Sequence, residues 1–156
     1  MNSRGRGRRG PRWLHGPVIP RAPDLLLVAL GGALGTLARW AVGRALPPAA
    51  GWPLGTLAVN AVGALALGLL LEALARRGAE TPRARALRLA AGTGVLGGFT
   101  TWSGLALEAD RLAAGGDVLQ AAGYLLGSVA LGLLAASAGI ALGARTRRPA
   151  GPRSTP

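Results

Sequence analysis

Four long apolar stretches, separated by short segments rich in proline, glycine or charge, make up most of the chain. They cover about 25–46, 54–75, 87–112 and 118–142. A helix needs about 20 predominantly apolar residues to cross the hydrocarbon core of a bilayer, and each stretch meets that length. The pattern therefore predicts an all-α membrane protein with four transmembrane helices, and it leaves no room for a soluble catalytic domain.

The third stretch differs from the others because glycines and hydroxyl residues interrupt it. They are Gly92, Gly94, Gly97, Gly98, Thr100, Thr101, Ser103 and Gly104. Each interior glycine weakens a helix by about 1 kcal/mol relative to alanine, so the sequence favours a break near 97–101. Unwound backbone at that depth offers carbonyls that can hold a cation and amides that can face an anion. The alternative, that these glycines only permit close helix contact, stays open on the residues alone.

Both ends of the chain are rich in arginine, glycine and proline. We predict a disordered tail over 1–23, a four-helix transmembrane domain over 24–144 and a disordered basic tail over 145–156. The basic start, followed by an apolar run, also resembles a signal peptide. Against that alternative, the apolar character continues to residue 46 and three further stretches follow.

The composition excludes several kinds of chemistry. The chain has no cysteine, so disulfides and thiolate sites are excluded, and the single histidine, His15, lies in the Arg-rich leader and is given no role. All 18 basic residues are arginine, and the formal net charge is +12. Such a charge is compatible with nucleic-acid binding, but most of these arginines cluster in the tails and one loop. That distribution is typical of membrane topology, and no nucleic-acid partner is predicted.

The placement of the arginines predicts the orientation of the chain. Six precede the first stretch, five lie between Arg76 and Arg88, and four follow the last stretch, all on one side of the membrane. Only Arg44 and Arg111 fall on the other side, and Arg39 lies within the first stretch. The positive-inside rule then places both termini in the cytoplasm of a multi-pass protein of the inner or plasma membrane, in one fixed orientation.

Four short segments carry a resemblance to a known family. They are residues 31–40 (GGALGTLARW), residues 55–63 (GTLAVNAVG), residues 94–103 (GVLGGFTTWS), and the pairs Gly123-Tyr124 and Gly127-Ser128. One such glycine pattern alone is weak evidence, but the four occur in order and on the matching stretches. Over about 30–143 the chain resembles the Fluc family of fluoride channels, also called CrcB.

The resemblance implies an architecture and a function. It implies an antiparallel dimer of two four-helix subunits, with two pores along their interface through which fluoride leaves the cytoplasm passively. It also implies a structural sodium ion at the dimer centre, held by backbone carbonyls of the broken third helix, here those of Gly97 and Thr100. Hard cations prefer such oxygen donors. The implied partners are fluoride, the lipid bilayer and a second four-helix subunit, and no enzymatic activity is implied.

The resemblance further implies a fluoride pathway. Its positions in this chain are Asn60, Trp102, Ser103, Tyr124 and Ser128. The Asn60 amide can donate a hydrogen bond to a small anion, and the hydroxyls of Tyr124 and Ser128 continue a polar track along the fourth stretch. The alternative for a buried Asn or Ser is an ordinary interhelical hydrogen bond, worth about 0.6 kcal/mol in a membrane protein.

Two charged residues are candidates for a pore entrance. Arg39 is costly at mid-membrane, and facing water near a pore mouth it would raise the local anion concentration. Its alternative is snorkelling to the interface. Glu108 matches an acidic position after the third motif, where we expect a polar contact near a pore mouth.

The chain departs from the family pattern at the aromatic box, where two Phe rings present their positive edges to fluoride. Trp102 occupies the first position, and Leu105 occupies the second. Gly104 replaces a family Thr, and Gly132 replaces a Ser of the fourth-stretch track. One half of the box is therefore missing. Together with the fixed orientation, this favours a heterodimer with a homologous chain of opposite charge bias, with a homodimer as the alternative.

Two other functions are compatible with parts of the pattern. The missing aromatics are compatible with a non-conducting partner subunit of a heterodimeric channel. Four helices are also typical of small proton-coupled multidrug transporters, which need a carboxylate within the membrane. The first stretch has none, and Glu72 and Glu108 lie toward the ends of their stretches.

Overall fold

A computed structural model describes residues 21–145, and these residues form helices joined by short turns. The elements are α1 (Ala22–Ala45), α2 (Leu54–Ala75), α3 (Pro82–Leu87), a π-helical segment (Arg88–Leu96), α4 (Gly97–Phe99), α5 (Trp102–Ala114) and α6 (Val118–Ala144). The described part contains no strand, only an isolated bridge between Ala49 and Trp52. His15 and most of both predicted tails lie outside the described residues. Within the described part, α1 already begins at Ala22, inside the predicted N-terminal tail, and Arg145 of the predicted C-terminal tail caps α6.

The prediction of an all-helical membrane protein is confirmed. Within residues 21–145 three helices, α1, α2 and α6, are long and apolar enough to span a membrane. The third predicted span is present as a chain of shorter pieces, from α3 through the π-helical segment and α4 to α5. The sequence did not predict the π-helical segment, a geometry that occurs frequently at functional sites.

Close glycine contacts join α1 to the third span. A side chain on Gly31 would collide with the Ala90 carbonyl, and one on Gly35 would collide with the Val95 carbonyl. The approach is reciprocal, because a side chain on Gly98 would collide with the carbonyl of Gly32 on α1. Small residues at such an interface let two backbones approach closely, which is how helices gain contact in a bilayer.

The second helix pair, α2 with α6, uses the same device. A side chain on Gly68 would collide with the Ala136 carbonyl, and one on Gly139 would collide with the Leu65 carbonyl. Close packing, the alternative left open for the third-stretch glycines, is observed for Gly98 against α1, and Gly68 and Gly139 pack in the same way between α2 and α6. These contacts fix α2 and α6 side by side along most of their length.

The interior is small compared with the apolar surface. The buried hydrophobic side chains within the described residues are those of Val59, Leu105, Ala109, Ala121 and Tyr124. Of these, Leu105, Ala109 and Tyr124 form one packed cluster. Many leucines on the long helices point outward instead. In a membrane protein this surface is available to lipid and to a partner subunit.

Three ion pairs gather at the end of the molecule that holds the α2–α3 loop. They join Glu72 to Arg76 at 2.7 Å, Asp24 to Arg85 at 2.6 Å and Glu80 to Arg88 at 2.8 Å. The hydrogen bond from Arg85 to Asp24, helped by the charge of that carboxylate, raises the pKa of the Arg85 guanidinium above its usual value. The Asp24–Arg85 contact places the start of α1 beside α3, so both lie at the same end, as an even number of spans requires.

Candidate functional site: a polar groove at the helix break

The third span is broken at Thr100 and Thr101, whose backbones are extended (φ/ψ −80°/159° and −150°/119°). The predicted break is therefore present, but its predicted extent is wrong at 97–99. Gly97, Gly98 and Phe99 form a helical turn, and the close contact of Gly98 with α1 holds this turn in place.

Local hydrogen bonds explain why the chain leaves the helix here. The backbone N–H and the hydroxyl of Thr100 both donate to the Leu96 carbonyl, each at 3.0 Å, and so close the preceding turn. The Thr101 hydroxyl then accepts from the Gly104 N–H at 3.0 Å and caps the start of α5. A threonine side chain is well suited to such an N-cap.

Asn60 on α2 holds the extended backbone from across the bundle. Its Oδ1 accepts from the Thr101 N–H at 2.8 Å, and its Nδ2 donates to the Thr101 carbonyl at 3.0 Å. In a continuous α-helix the Thr101 N–H would bond to the Gly97 carbonyl, so this pairing leaves Gly97 without that partner. An amide nitrogen carries two hydrogens, and the second N–H of Asn60 is left for another acceptor.

An open groove of about 440 Å³ runs past the break. Its polar or small lining residues include Asn60, Gly97, Thr100, Thr101, Ser128 and Gly132, and Trp102 and Leu105 complete that part of the wall. The groove therefore brings together both predicted sodium positions and three of the five predicted fluoride-pathway residues. Its wall combines α2, the broken third span and α6.

Ser128 is the one residue in the described part whose side chain is buried without a hydrogen-bond partner. It is 8% exposed, and its Oγ makes no hydrogen bond, although it lines the groove. Burying a hydroxyl without a partner costs about 1–3 kcal/mol, so such a group points to a ligand or to water.

Tyr124 and Glu108 lie together beyond the groove lining. The Tyr124 hydroxyl donates to Glu108 Oε2 at 2.6 Å, and the Thr56 hydroxyl donates to Oε1 of the same carboxylate at 2.7 Å. Tyr124 is 1% exposed, and its ring meets Trp52 edge-on at 6.4 Å. The sequence motifs did not indicate a role for Thr56. The available signal was its spacing of four residues from Asn60, which places both on one face of α2.

Two predicted residues lie apart from this groove. The hydroxyl of Ser103 is 3.3 Å from the Thr101 hydroxyl, but Ser103 is exposed and does not line the groove. Arg39 is half-buried on α1 and makes no ion pair within residues 21–145. The neighbouring Arg44 stacks over the ring of Trp40 at 5.3 Å, which places an Arg-aromatic pair near the end of α1.

The positions at which the resemblance implied other residues have different surroundings. Leu105 is 3% exposed and packs in the cluster with Ala109 and Tyr124, whereas Trp102 is 71% exposed. A side chain on Gly104 would come within 2.8 Å of the Thr101 methyl group, next to the cap of α5. A side chain on Gly132 would meet nothing within 4 Å, so the groove is open at that position.

The possible metal donors at this site are backbone oxygens. Within residues 21–145 no group of three or more His, Asp, Glu or Cys side chains is arranged to hold a metal ion. The donors available at the break are peptide carbonyls. The Gly97 carbonyl is one of them, because the Thr101 N–H, its partner in a continuous α-helix, bonds to Asn60 instead.

The fold and the groove define a multi-pass helical membrane protein with polar groups placed at a helix break inside the bundle. A sequence model of the family described as CrcB-like protein, Camphor Resistance (CrcB), matches residues 26–140. The chain belongs to the CrcB family, as its sequence motifs predicted.

Individual relatives agree with this assignment. The chain is similar to fluoride-specific ion channel FluC 2 of Leifsonia xyli, with 47% identity over 128 residues, 82% of this chain and 88% of that protein. It is 50% identical to FluC 1 of Cutibacterium acnes over 120 residues, covering 76% and 84% of the two chains. It is 49% identical to FluC of Paracoccus denitrificans over 122 residues, covering 76% and 92%.

These names bear on two earlier alternatives. The relatives are ion channels by name, so the family is one of channels rather than enzymes, and the prediction that the chain is not an enzyme is confirmed. None of the relatives described above is named as a multidrug transporter.

Proposed function

We propose that this chain is a subunit of a fluoride-specific channel that lets cytoplasmic fluoride leave the cell passively. The relatives' names support fluoride as the ion. The observation that carries the proposal in this chain is the buried, unpartnered Ser128 hydroxyl in a groove that also contains the Asn60 amide. Fluoride is a small, strong acceptor, and both groups have a hydrogen to donate.

The polar residues form two pairs, one pair on each of two adjacent helices. Thr56 and Asn60 are four residues apart on α2, and Tyr124 and Ser128 are four residues apart on α6. Residues four apart share a helix face. Because α2 and α6 pack side by side, these side chains extend from the groove toward Glu108, which already accepts the hydroxyl hydrogens of Thr56 and Tyr124.

A passive pore is sufficient for export. A membrane potential that is negative inside drives an anion outward by about 2.3 kcal/mol per charge per 100 mV. The charge bias of the chain supports cytoplasmic termini, so the Arg-rich loop faces the side from which fluoride leaves.

A sodium ion fits the residues at the break. The carbonyls of Gly97 and Thr100 would hold it, since oxygen donors suit a hard cation and the Gly97 carbonyl has lost its α-helical partner. The ion would supply a fixed positive charge. Gly97 is exposed and a side chain there would meet nothing within 4 Å, so a second subunit can approach this face.

The proposed assembly is an antiparallel dimer, with a heterodimer favoured over a homodimer. The groove opens to the molecular surface, and Trp102 projects from it, so a partner subunit is needed to close the pore. The arginine bias opposes insertion of this chain in both orientations. The numbered names of the Leifsonia and Cutibacterium relatives support the presence of more than one such chain in an organism.

The central experiment measures fluoride efflux from liposomes that contain either this chain alone or this chain with a homologous chain of opposite arginine bias. We expect efflux with both chains, and we expect little with this chain alone. Strong efflux from the chain alone would contradict the heterodimer but support the channel. An absence of fluoride efflux under every pairing would contradict the channel.

A matched pair of serine variants tests whether the unpartnered Ser128 hydroxyl contributes to fluoride conduction. Ser128→Ala removes the unpartnered hydroxyl, and we expect efflux to fall about tenfold, the value of one hydrogen bond of about 1.4 kcal/mol. Ser137→Ala makes the same change on the same helix, but Ser137 does not line the groove and its hydroxyl already donates to the Leu133 carbonyl at 2.8 Å. Equal efflux in both variants would show that Ser128 does not contact the ion.

A second candidate is a non-conducting partner subunit, favoured by the buried leucine at position 105. If this is correct, pairs with the homologous chain conduct equally well whether this subunit is unaltered or carries Ser128→Ala. In that outcome the conducting groove belongs entirely to the partner subunit.

A further inference from the structure

The loop between α2 and the third span contains five arginines in two different situations. Three of them pair with carboxylates, namely Arg76, Arg85 and Arg88. The other two, Arg77 and Arg83, make no ion pair within residues 21–145, and both line one cavity of about 290 Å³. We call this the loop cavity, and its wall also includes Thr81, Leu74 and Leu87.

No acidic side chain of this sequence is placed to neutralise these two arginines. The six acidic residues are Asp24, Glu72, Glu80, Glu108, Asp110 and Asp117. The first three are engaged in the ion pairs described above, and the last three follow the break of the third span, toward the opposite end of the molecule. The segments 1–20 and 146–156 contain no acidic residue at all. No side chain of this sequence therefore supplies a partner for these two arginines, and an external anion can bind them.

The loop cavity lies where the apolar span meets the polar loop. Leu74 is in the last turn of α2 and Leu87 ends α3, so one wall is apolar and continuous with the membrane surface of the helices. Arg77, Arg83 and the hydroxyl of Thr81 form the polar part. Guanidinium groups match the geometry of phosphate oxygens, and basic pockets at helix ends bind anionic lipid headgroups.

We propose that the loop cavity binds the headgroup phosphate of an anionic phospholipid in the leaflet on the loop side, with Arg77 and Arg83 as its cationic contacts. Charge complementarity identifies the headgroup, and the two leucines identify an amphiphile rather than a free ion. The neighbouring cavity of about 210 Å³ provides an internal contrast, because it contains the Glu80–Arg88 pair and is already neutral.

Native mass spectrometry of the full chain tests this proposal, with dioleoylphosphatidylglycerol and dioleoylphosphatidylcholine offered in equal amounts. We expect preferential retention of phosphatidylglycerol. The double variant Arg77→Gln/Arg83→Gln should lose about 25-fold in apparent affinity for it, about fivefold for each charge. The matched control Arg21→Gln/Arg145→Gln removes two charges at the same end without touching the loop cavity, and it should stay within about twofold of the unaltered chain.

Further arms distinguish the alternatives. The variant Arg77→Lys/Arg83→Lys keeps both charges and should retain most of the preference, which guards against a folding defect in the Gln variant. Displacement of the lipid by millimolar inorganic phosphate would overturn the lipid assignment in favour of free phosphate. An equal loss in the Arg21/Arg145 control, or no loss in the Arg77/Arg83 variant, would also overturn it. None of these readouts depends on fluoride transport, so the result stands apart from the proposed channel function.

Discussion

The two walls of the groove differ in how their polar groups are satisfied. On the wall formed by the break, the Thr101 N–H and carbonyl bond to Asn60, and both the N–H and hydroxyl of Thr100 bond to Leu96. On the α6 wall, the Ser128 hydroxyl has no partner and position 132 is open space. The first wall is therefore a fixed frame, and the second is the side with capacity left for a ligand.

The largest effect is expected from removing the frame. Asn60→Leu keeps the size of the side chain but leaves the Thr101 N–H and carbonyl unpaired, at a cost of about 1–3 kcal/mol for each group. We expect the free energy of unfolding, measured by SDS titration, to fall by about 2–4 kcal/mol, and fluoride efflux to fall to the level of protein-free liposomes.

Gln120→Leu is the matched control for this change. It also replaces an amide by leucine, but the half-buried Gln120 makes a long contact, with its Nε2 3.5 Å from the Ala50 carbonyl. This variant should unfold and conduct like the unaltered chain. If Asn60→Leu does the same, the Asn60–Thr101 pairing does not hold the break.

A second test alters the packing behind Thr100, on the wall formed by the break. A side chain on Gly63 would collide with the Thr100 methyl group, so Gly63→Ala forces Thr100 to turn away from its bond to Leu96 or to shift. Overpacking of this kind costs about 1–3 kcal/mol, and we expect lower stability together with reduced efflux. Both are measured in the same SDS titration and liposome assay.

Gly43→Ala serves as the control for Gly63→Ala. A side chain at position 43 meets nothing within 4 Å, and alanine in a helix interior is favoured by about 1 kcal/mol over glycine. This variant should be unchanged or slightly more stable. An equally harmless Gly63→Ala would show that the Thr100 wall can move freely.

The two walls also differ in how much of their structure could be predicted from the sequence. Hydropathy was sufficient to predict the spans, since it depends on long-range composition rather than on contacts. The orientation predicted from arginine placement stays a prediction. The glycines and threonines of the third stretch predicted a break over 97–101, but they did not confine it to Thr100 and Thr101. That position depends on Asn60, which is 41 residues away in the sequence, and on the contact of Gly98 with α1.

Contacts between residues far apart in the sequence could not be predicted without the folded chain. Glu108 is 52 residues from Thr56 and 16 from Tyr124, so its two hydrogen bonds follow from the packing of α2, α5 and α6. The same holds for the pairing of Arg85 with Asp24, 61 residues apart. In the sequence the five loop arginines look alike. In the described part of the folded chain three of them form ion pairs and two do not.

Leu105 occupies the position at which the family resemblance implies an aromatic ring. Leu105→Phe would restore the aromatic side chain, but Leu105 is already buried against Tyr124 and Ala109. Adding ring volume to a packed cluster costs about 1–2 kcal/mol, so we expect lower stability in the SDS titration with no gain in efflux when the chain is paired with its partner. A stable variant with faster efflux would show that the box is built from this subunit after all.

The smallest effect is expected where the α6 wall is open. Gly132→Ser adds the hydroxyl that the family resemblance implies four residues after Ser128, on the same face of α6, and a Cβ at this position meets nothing within 4 Å. Stability should therefore change by less than about 0.5 kcal/mol, the range of unstrained exposed substitutions. The additional donor should raise fluoride efflux about two- to threefold, while Gly132→Ala, which fills the same space without a hydroxyl, should not. If alanine and serine act alike, the α6 wall contributes shape rather than hydrogen bonds, and the contrast between the two walls would lie in packing alone.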